Sequence, residues 1–173
     1  MLNNFEARMC RGTHYCFSFV RNPFDRLVSA YNNKILELDE IPGPMQRMGL
    51  NKGTSFAEFL ECIAATSDKK LDVHLLPQST ILCHEDAVIP NFVGRLESMA
   101  EDWAQLQQVM RSECLPELGK LPQKNVRRGD DRSDIRNYFK DSGLIRLATR
   151  RYHMDFERFY GSMKPEQLIH SQT

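Results

Sequence analysis

Arg21 and Ser29 are the side chains in this 173-residue chain whose types and spacing best suit holding an anion. They lie in Cys16-Phe17-Ser18-Phe19-Val20-Arg21-Asn22-Pro23-Phe24-Asp25-Arg26-Leu27-Val28-Ser29-Ala30-Tyr31, which reads as a buried strand, a turn and a helix opening on proline. An arginine at the strand's end offers a charged fork to phosphate oxygens. A serine roughly one and a half to two helical turns further on adds a neutral donor. The same spacing also fits a structural arginine ion pair and a serine that faces water. Two other stretches invite the same reading. Arg11-Gly12-Thr13 lacks a lysine and runs into a strand, the wrong context for backbone amides to converge on an anion. Lys52-Gly53-Thr54-Ser55 has a lysine, a glycine and two hydroxyls before a helix. A phosphate loop there requires a strand immediately before it, and the Gly-, Pro- and Met-rich run from Asp39 to Gly53 reads as a long loop. This second stretch is read as a helix cap.

The elements that position these residues follow from propensity and periodicity. Tyr15 to Val20 is aromatic and β-branched, a strand pattern. Asn22 is a good cap and Pro23 suits the first helical position. Phe24, Leu27, Val28, Tyr31 and Ile35 then share one helical face, with Arg26, Ser29 and Asn33 opposite. Ser55 and Glu58 have capping-box spacing ahead of the stripe Phe56, Phe59, Leu60 and Ile63. Val88 to Val93 holds another strand ending at Gly94. Met99, Trp103, Leu106 and Met110 mark a third helix, with Trp103 expected in the core. Glu117 to Arg132 reads as a basic loop, and Ser133 as a cap for a short helix through Tyr138. Leu144 to Tyr152 reads as the last substantial helix, closed by Asp155 to Tyr160. Few strands among several helices predict an α/β layer fold with part of its sheet missing.

Bulk properties set the limits. The 23 basic and 23 acidic residues cancel, so no global field draws the molecule to nucleic acid or an acidic membrane, and any anion site is local. Five cysteines without a CxxC pair argue against a disulfide framework or a zinc site and for reduced, buried thiols. No cluster of His, Cys or carboxylate has metal-ligand spacing. No apolar run reaches the length of a membrane span. The simplest expectation is a cytoplasmic protein. A domain cut from a membrane-anchored parent, working in the Golgi lumen, would look the same.

The Arg21 segment resembles the RxPxxRxxSxY element of sulfotransferases, and three further segments resemble that family in order. Asp72-Val73-His74-Leu75-Leu76-Pro77-Gln78 is similar to a DxHxxPQ element of sulfotransferase family 2 and related carbohydrate sulfotransferases. Phe92-Val93-Gly94-Arg95-Leu96-Glu97 with Glu101-Asp102 resembles FVGRFE…ED. Tyr152 to Gly161 resembles YxxDFExFGY. The resemblance implies a P-loop-like α/β sulfotransferase fold with a short parallel sheet flanked by helices. It implies transfer of a sulfuryl group from 3′-phosphoadenosine-5′-phosphosulfate (PAPS) to a hydroxyl acceptor, expected to be a carbohydrate, without a metal. Arg21 and Ser29 would then bind the donor's 3′-phosphate.

The family's lysine-containing PKxxxTS loop, which cradles the 5′-phosphosulfate, is not found before Arg21. The chain is therefore expected to be a single, N-terminally incomplete domain over residues 1–161, with 162–173 a flexible tail. His74, placed in its family-like motif, is the first candidate for the base that accepts the acceptor's proton. Glu97, near a strand end, is a second candidate, but pairing with Arg95 or another basic neighbour accounts for it as well. His14, His84, His153 and His170 have no such context. Two further readings stand beside the enzyme: a non-catalytic nucleotide-binding or interaction module of the same descent, and a different phosphate-loop enzyme built on Lys52 to Ser55.

Overall fold

The computed structural model describes residues 6, 9, 12–85, 87–121, 134–161 and 163–170. It is a mixed α/β structure, mostly helical, with a small parallel sheet. The chain divides into two compact units. One comprises Met1–Asn22 with Leu82–Arg128, the other Pro23–Ile81 with Gly129–Thr173.

The first unit holds the strands. β1 (Phe17–Val20) pairs in parallel with β4 (Phe92–Arg95), in the register Phe17 with Phe92 through Val20 with Arg95. β2 (Cys83–His84) and β3 (Ala87–Val88) form a separate antiparallel pair. The single strand expected over Val88 to Val93 is thus two strands. Pro90 lies between them and has no N–H to carry a ladder through. The strand expected from Tyr15 to Val20 is shorter than predicted and not fully buried, with Phe17 40% exposed. After a 3₁₀ turn (Leu96–Ser98) comes α5 (Met99–Ser112), which buries Leu106 and Met110. Trp103 is half-buried rather than enclosed, lying 6.1 Å from Phe19 and 6.4 Å from Phe17 by ring centroid.

Gly94 shows why β4 carries a glycine. A Cβ there would meet the Phe19 ring at 2.3 Å, because Phe19 and Gly94 are register partners and the ring lies across the glycine.

The second unit is helical. α1 (Pro23–Tyr31) runs directly into a π-helical segment, Asn32–Glu37. The predicted face is the buried one: Phe24, Leu27, Val28, Tyr31 and Ile35 are all 7% exposed or less. Phe24 packs against Phe139 and Phe156, and Tyr31 against Phe56 and Phe59, with centroids 4.8 to 5.3 Å apart. Burying each such ring stabilises the fold by about 1.5–3 kcal/mol.

α3 (Phe56–Ala65) opens on the predicted capping box, with Ser55 N–H donating to Glu58 and Glu58 N–H to Ser55 Oγ. The Ser55 hydroxyl also donates to the Glu58 carboxylate at 2.6 Å, and this bond, with the Ser55 N–H second, holds that carboxyl below its ordinary range. The expected long loop before it contains a helix, α2 (Gly43–Arg47), with Pro44 in its first turn and Met45 fully buried.

α4 (Gln78–Leu82) follows Pro77. α6 (Ser142–Arg151) and α7 (His153–Phe159) then cover the region read as the last helix and its aromatic close. Ser133 lies outside the described residues, as does most of the basic loop. Asp134 is the residue that caps the 3₁₀ turn Ile135–Asn137. The stretch expected to be a flexible tail instead contains α8 (Pro165–His170), which buries Leu168 and Ile169. Of the described cysteines, Cys16, Cys62 and Cys83 are half-buried free thiols and Cys114 is exposed, so the expectation of buried thiols holds only in part. Among the described residues no helix is long and apolar enough to cross a membrane.

Candidate functional site

The segment from Asp72 to Ser79 has no regular structure until α4 begins, yet its backbone is fixed almost atom by atom. Asp72 is buried and His74 is exposed. One oxygen of Asp72, Oδ1, accepts the His74 backbone N–H at 2.9 Å and lies 2.7 Å from His74 Nδ1. A carboxylate only accepts, so Nδ1 carries the proton in this contact. In the neutral ring Nε2 is then left with its lone pair, on a side chain 55% exposed. The next turn closes when Leu75 N–H donates to Asp72 O.

Three side chains from distant segments hold the rest of this loop. Arg26, from α1, donates through Nη1 to Leu76 O at 2.5 Å, with Nη2 3.4 Å from Val73 O. Tyr152, between α6 and α7, donates its hydroxyl to Leu75 O at 2.7 Å. Asp155, in the first turn of α7 and fully buried, accepts the N–H groups of Gln78 and Ser79 at 2.8 and 2.7 Å. It therefore caps α4 from outside the helix's own sequence, supplying the acceptor that an opening turn lacks. Burial lowers the Arg26 pKa from its ordinary value, with Tyr152 and Asp155 acting against the shift. Burial drives the Tyr152 phenol well above its ordinary value, so it stays a donor. Arg151 extends the framework by pairing with Asp68 at 2.5 Å, and Asp68 also accepts from Thr80 Oγ1 at 3.0 Å.

The other predicted residues fall as follows. Arg21 sits half-buried just beyond β1 in the first unit, and Ser29 half-buried on α1 in the second. α1 thus carries both Ser29 and Arg26, the arginine that fixes the His74 loop. Glu97 accepts the Asn22 N–H at 2.5 Å, so its carboxylate anchors the residue after Arg21. Asp102 similarly accepts the Arg95 N–H at 2.6 Å and Ser98 Oγ at 2.9 Å. Lys52 directs its ammonium to the carbonyls of Leu36 and Leu38, at the end of the π-helical segment. What precedes it is α2, not a strand. The Lys52–Ser55 stretch is a cap, as read from the sequence, and the phosphate-loop alternative built on it fails for want of that strand.

The residues that sequence reasoning passed over are Asp72, Arg26, Tyr152 and Asp155. Each belongs to a recognised motif, and that membership was the available signal. What could not be read was that these motifs bond to one another.

The sequence profile of the sulfotransferase family matches residues 2–161, nearly the whole chain. The chain belongs to this family, within sulfotransferase family 2. It is 31% identical over 181 residues to mouse (Mus musculus) carbohydrate sulfotransferase 12, covering 88% of this chain and 41% of that protein. It is 30% identical over 122 residues to human (Homo sapiens) carbohydrate sulfotransferase 14, covering 62% of this chain and 31% of that protein. The chain therefore spans less than half the length of these curated relatives. No solved structure matches it.

Proposed function

We propose that this chain supplies the 3′-phosphate-binding and acceptor-activating part of a PAPS-dependent sulfotransferase whose acceptor is a carbohydrate hydroxyl. The observation that carries this reading is the convergence of Arg26, Tyr152 and Asp155 on the loop that presents His74. A buried polar framework of this kind is an expensive way to hold an otherwise unremarkable surface turn, but a good way to fix a base. Membership of the sulfotransferase family supports the donor, and the names of its relatives support the carbohydrate.

In the proposed step the acceptor oxygen attacks the sulfur of PAPS and its proton passes to His74 Nε2. The bond from sulfur to the bridging 5′-phosphate oxygen breaks, and adenosine 3′,5′-bisphosphate departs. Asp72 holds the ring with Nδ1 protonated and steadies the imidazolium that forms. Arg21 and Ser29 each keep part of their side chains exposed, as residues meeting the 3′-phosphate must.

The test is transfer of labelled sulfate from PAPS to a panel of carbohydrate acceptors by the full chain. His74→Ala is expected to lower kcat by about 10²- to 10⁴-fold with PAPS binding retained. Arg21→Ala is expected to weaken adenosine 3′,5′-bisphosphate binding. The second reading is a nucleotide-binding or interaction module of the same fold. Binding that depends on Arg21 without turnover on any acceptor would establish that module instead. Turnover unchanged by His74→Ala would remove His74 from the chemistry.

A further inference from the structure

Arg21 stands between two peptide planes that one neighbouring segment of the first unit holds. The plane before it follows Val20, the register partner of Arg95 on β4. The plane after it carries the Asn22 N–H, which Glu97 Oε1 accepts at 2.5 Å. A peptide unit is rigid, so pinning its N–H fixes the ψ angle of the residue before it. Both backbone angles of Arg21 are thus set by β4 and the turn that follows it.

Glu97 is itself held. It lies in the 3₁₀ turn Leu96–Ser98. Arg95 before it and Ser98 after it are tied to α5 through one atom, since Asp102 Oδ2 accepts the Arg95 N–H at 2.6 Å and the Ser98 hydroxyl at 2.9 Å. Asn22 is 1% exposed, so its N–H needs an acceptor from the protein, and Glu97 supplies one from 75 positions further along the chain. Arg21 is only half-buried. What is fixed is therefore the root of a side chain whose body still meets solvent. β1 and β4 run in parallel and both end here, and ligands of α/β sheets bind outside the carboxyl ends of such strands.

We infer that Glu97 is a positioning residue for the 3′-phosphate site. By pinning the Asn22 N–H it fixes the Arg21 backbone and so narrows the rotamers from which the guanidinium meets the phosphate. A pre-set arginine spares the entropy of ordering a long side chain on binding. The opposing effect is repulsion between the carboxylate and a bound phosphate. Glu97 is exposed, so water and salt screen that repulsion and positioning outweighs it. The inference rests on Arg21 being the phosphate ligand proposed above, and gives Glu97 a role other than that of base.

The test is calorimetric titration of the full chain with adenosine 3′,5′-bisphosphate. Glu97→Ala should weaken binding about tenfold, the cost of ordering one long side chain anew. Glu97→Gln keeps the reach and an acceptor oxygen without the charge, and should bind within about threefold of the native chain. In an Arg21→Ala background, Glu97→Ala should cost nothing further. Glu101→Ala removes an exposed glutamate nearby and should leave binding unchanged. Circular dichroism checks folding, and if Glu97→Ala does not fold, Glu97→Asp, with charge but shorter reach, makes the same test. A Glu97→Ala or Glu97→Asp variant that binds as tightly as the native chain or tighter, a Glu97→Gln variant no better than Glu97→Ala, or losses that add to those of Arg21→Ala would each overturn the inference. If Arg21→Ala itself binds normally, the phosphate assignment of Arg21 falls and this inference with it. If Arg21→Ala weakens binding and Glu97→Ala does not, only the inference falls.

Discussion

The two compact units fix their motif residues by different physics. In the first, ring packing dominates the FVGR segment, where a glycine in β4 makes room for the Phe19 ring, 6.3 Å from Phe92 and 6.1 Å from Trp103, and a side-chain acceptor, Asp102, takes the Arg95 N–H at the segment's end. In the second, the DVHLLPQ segment is set by directed polar bonds from Arg26, Tyr152 and Asp155. Packing tolerates small displacements of a half-buried ring. A buried carboxylate that has lost two donors, or a backbone carbonyl that has lost its arginine, does not adjust cheaply. The comparison teaches that charged residues in a family motif need not touch substrate. Arg26 lies in the same motif as Ser29 and on the same helical face, yet it binds backbone carbonyls.

The contrast predicts its largest effect at Asp155. Asp155→Ala leaves two buried N–H groups at the start of α4 without an acceptor. Each bond to a charged group contributes about 1.5–3 kcal/mol, so the loss should be about 3 kcal/mol or more. Urea unfolding would measure it. A change below about 1 kcal/mol would mean that the polar framework is incidental and that packing fixes this unit too. Asp155→Asn keeps the shape and one acceptor oxygen, and should recover part of the loss.

A smaller effect is expected in the first unit. Gly94→Ala places a methyl against the Phe19 ring, and overpacking of this kind costs about 1–3 kcal/mol. Since the ring is half-buried and can give way, the lower end of that range is expected. Phe19→Leu removes the obstructing atoms, so the double variant should be more stable than the sum of the two single changes implies. A double-mutant cycle measures this coupling, and strict additivity would show that Gly94 is there for some other reason.

The same contrast explains how much was readable beforehand. The buried face of α1, the Ser55–Glu58 capping box, α5 and the run through α6 and α7 depend on neighbours three or four residues apart, which periodicity and caps report directly. The family resemblance placed Arg21, Ser29 and His74 in order along the chain. Neither source could reveal that Asp155 caps α4, because its partners are 76 and 77 residues away and no local pattern encodes the pairing. The π-helical segment was equally hidden. Its terminal carbonyls are met by Lys52, from a stretch whose residue types also fit a phosphate loop but which reads on sequence as a helix cap. α8 escaped for a simpler reason: it is a single short turn-rich helix, and only the burial of Leu168 and Ile169 distinguishes it from a loose end.

The smallest expected effect tests the part of the second unit that local signals do explain. Ser55→Ala removes the cap of α3 and should cost about 1 kcal/mol, the usual value for an N-cap serine. It should also change the acid response. Glu58 is held below its ordinary pKa in the folded chain, chiefly by Ser55. A carboxyl with a depressed folded pKa contributes stability that is fully present above its unfolded value and is lost as pH falls through the folded one. The native chain should therefore lose this contribution as pH drops below the ordinary carboxylate range, whereas Ser55→Ala, with the shift largely removed, should show a shallower loss over the same window. Parallel unfolding curves for the two proteins across that window would show that the Ser55 contact does not set the Glu58 charge, and that the purely local account of α3 is incomplete.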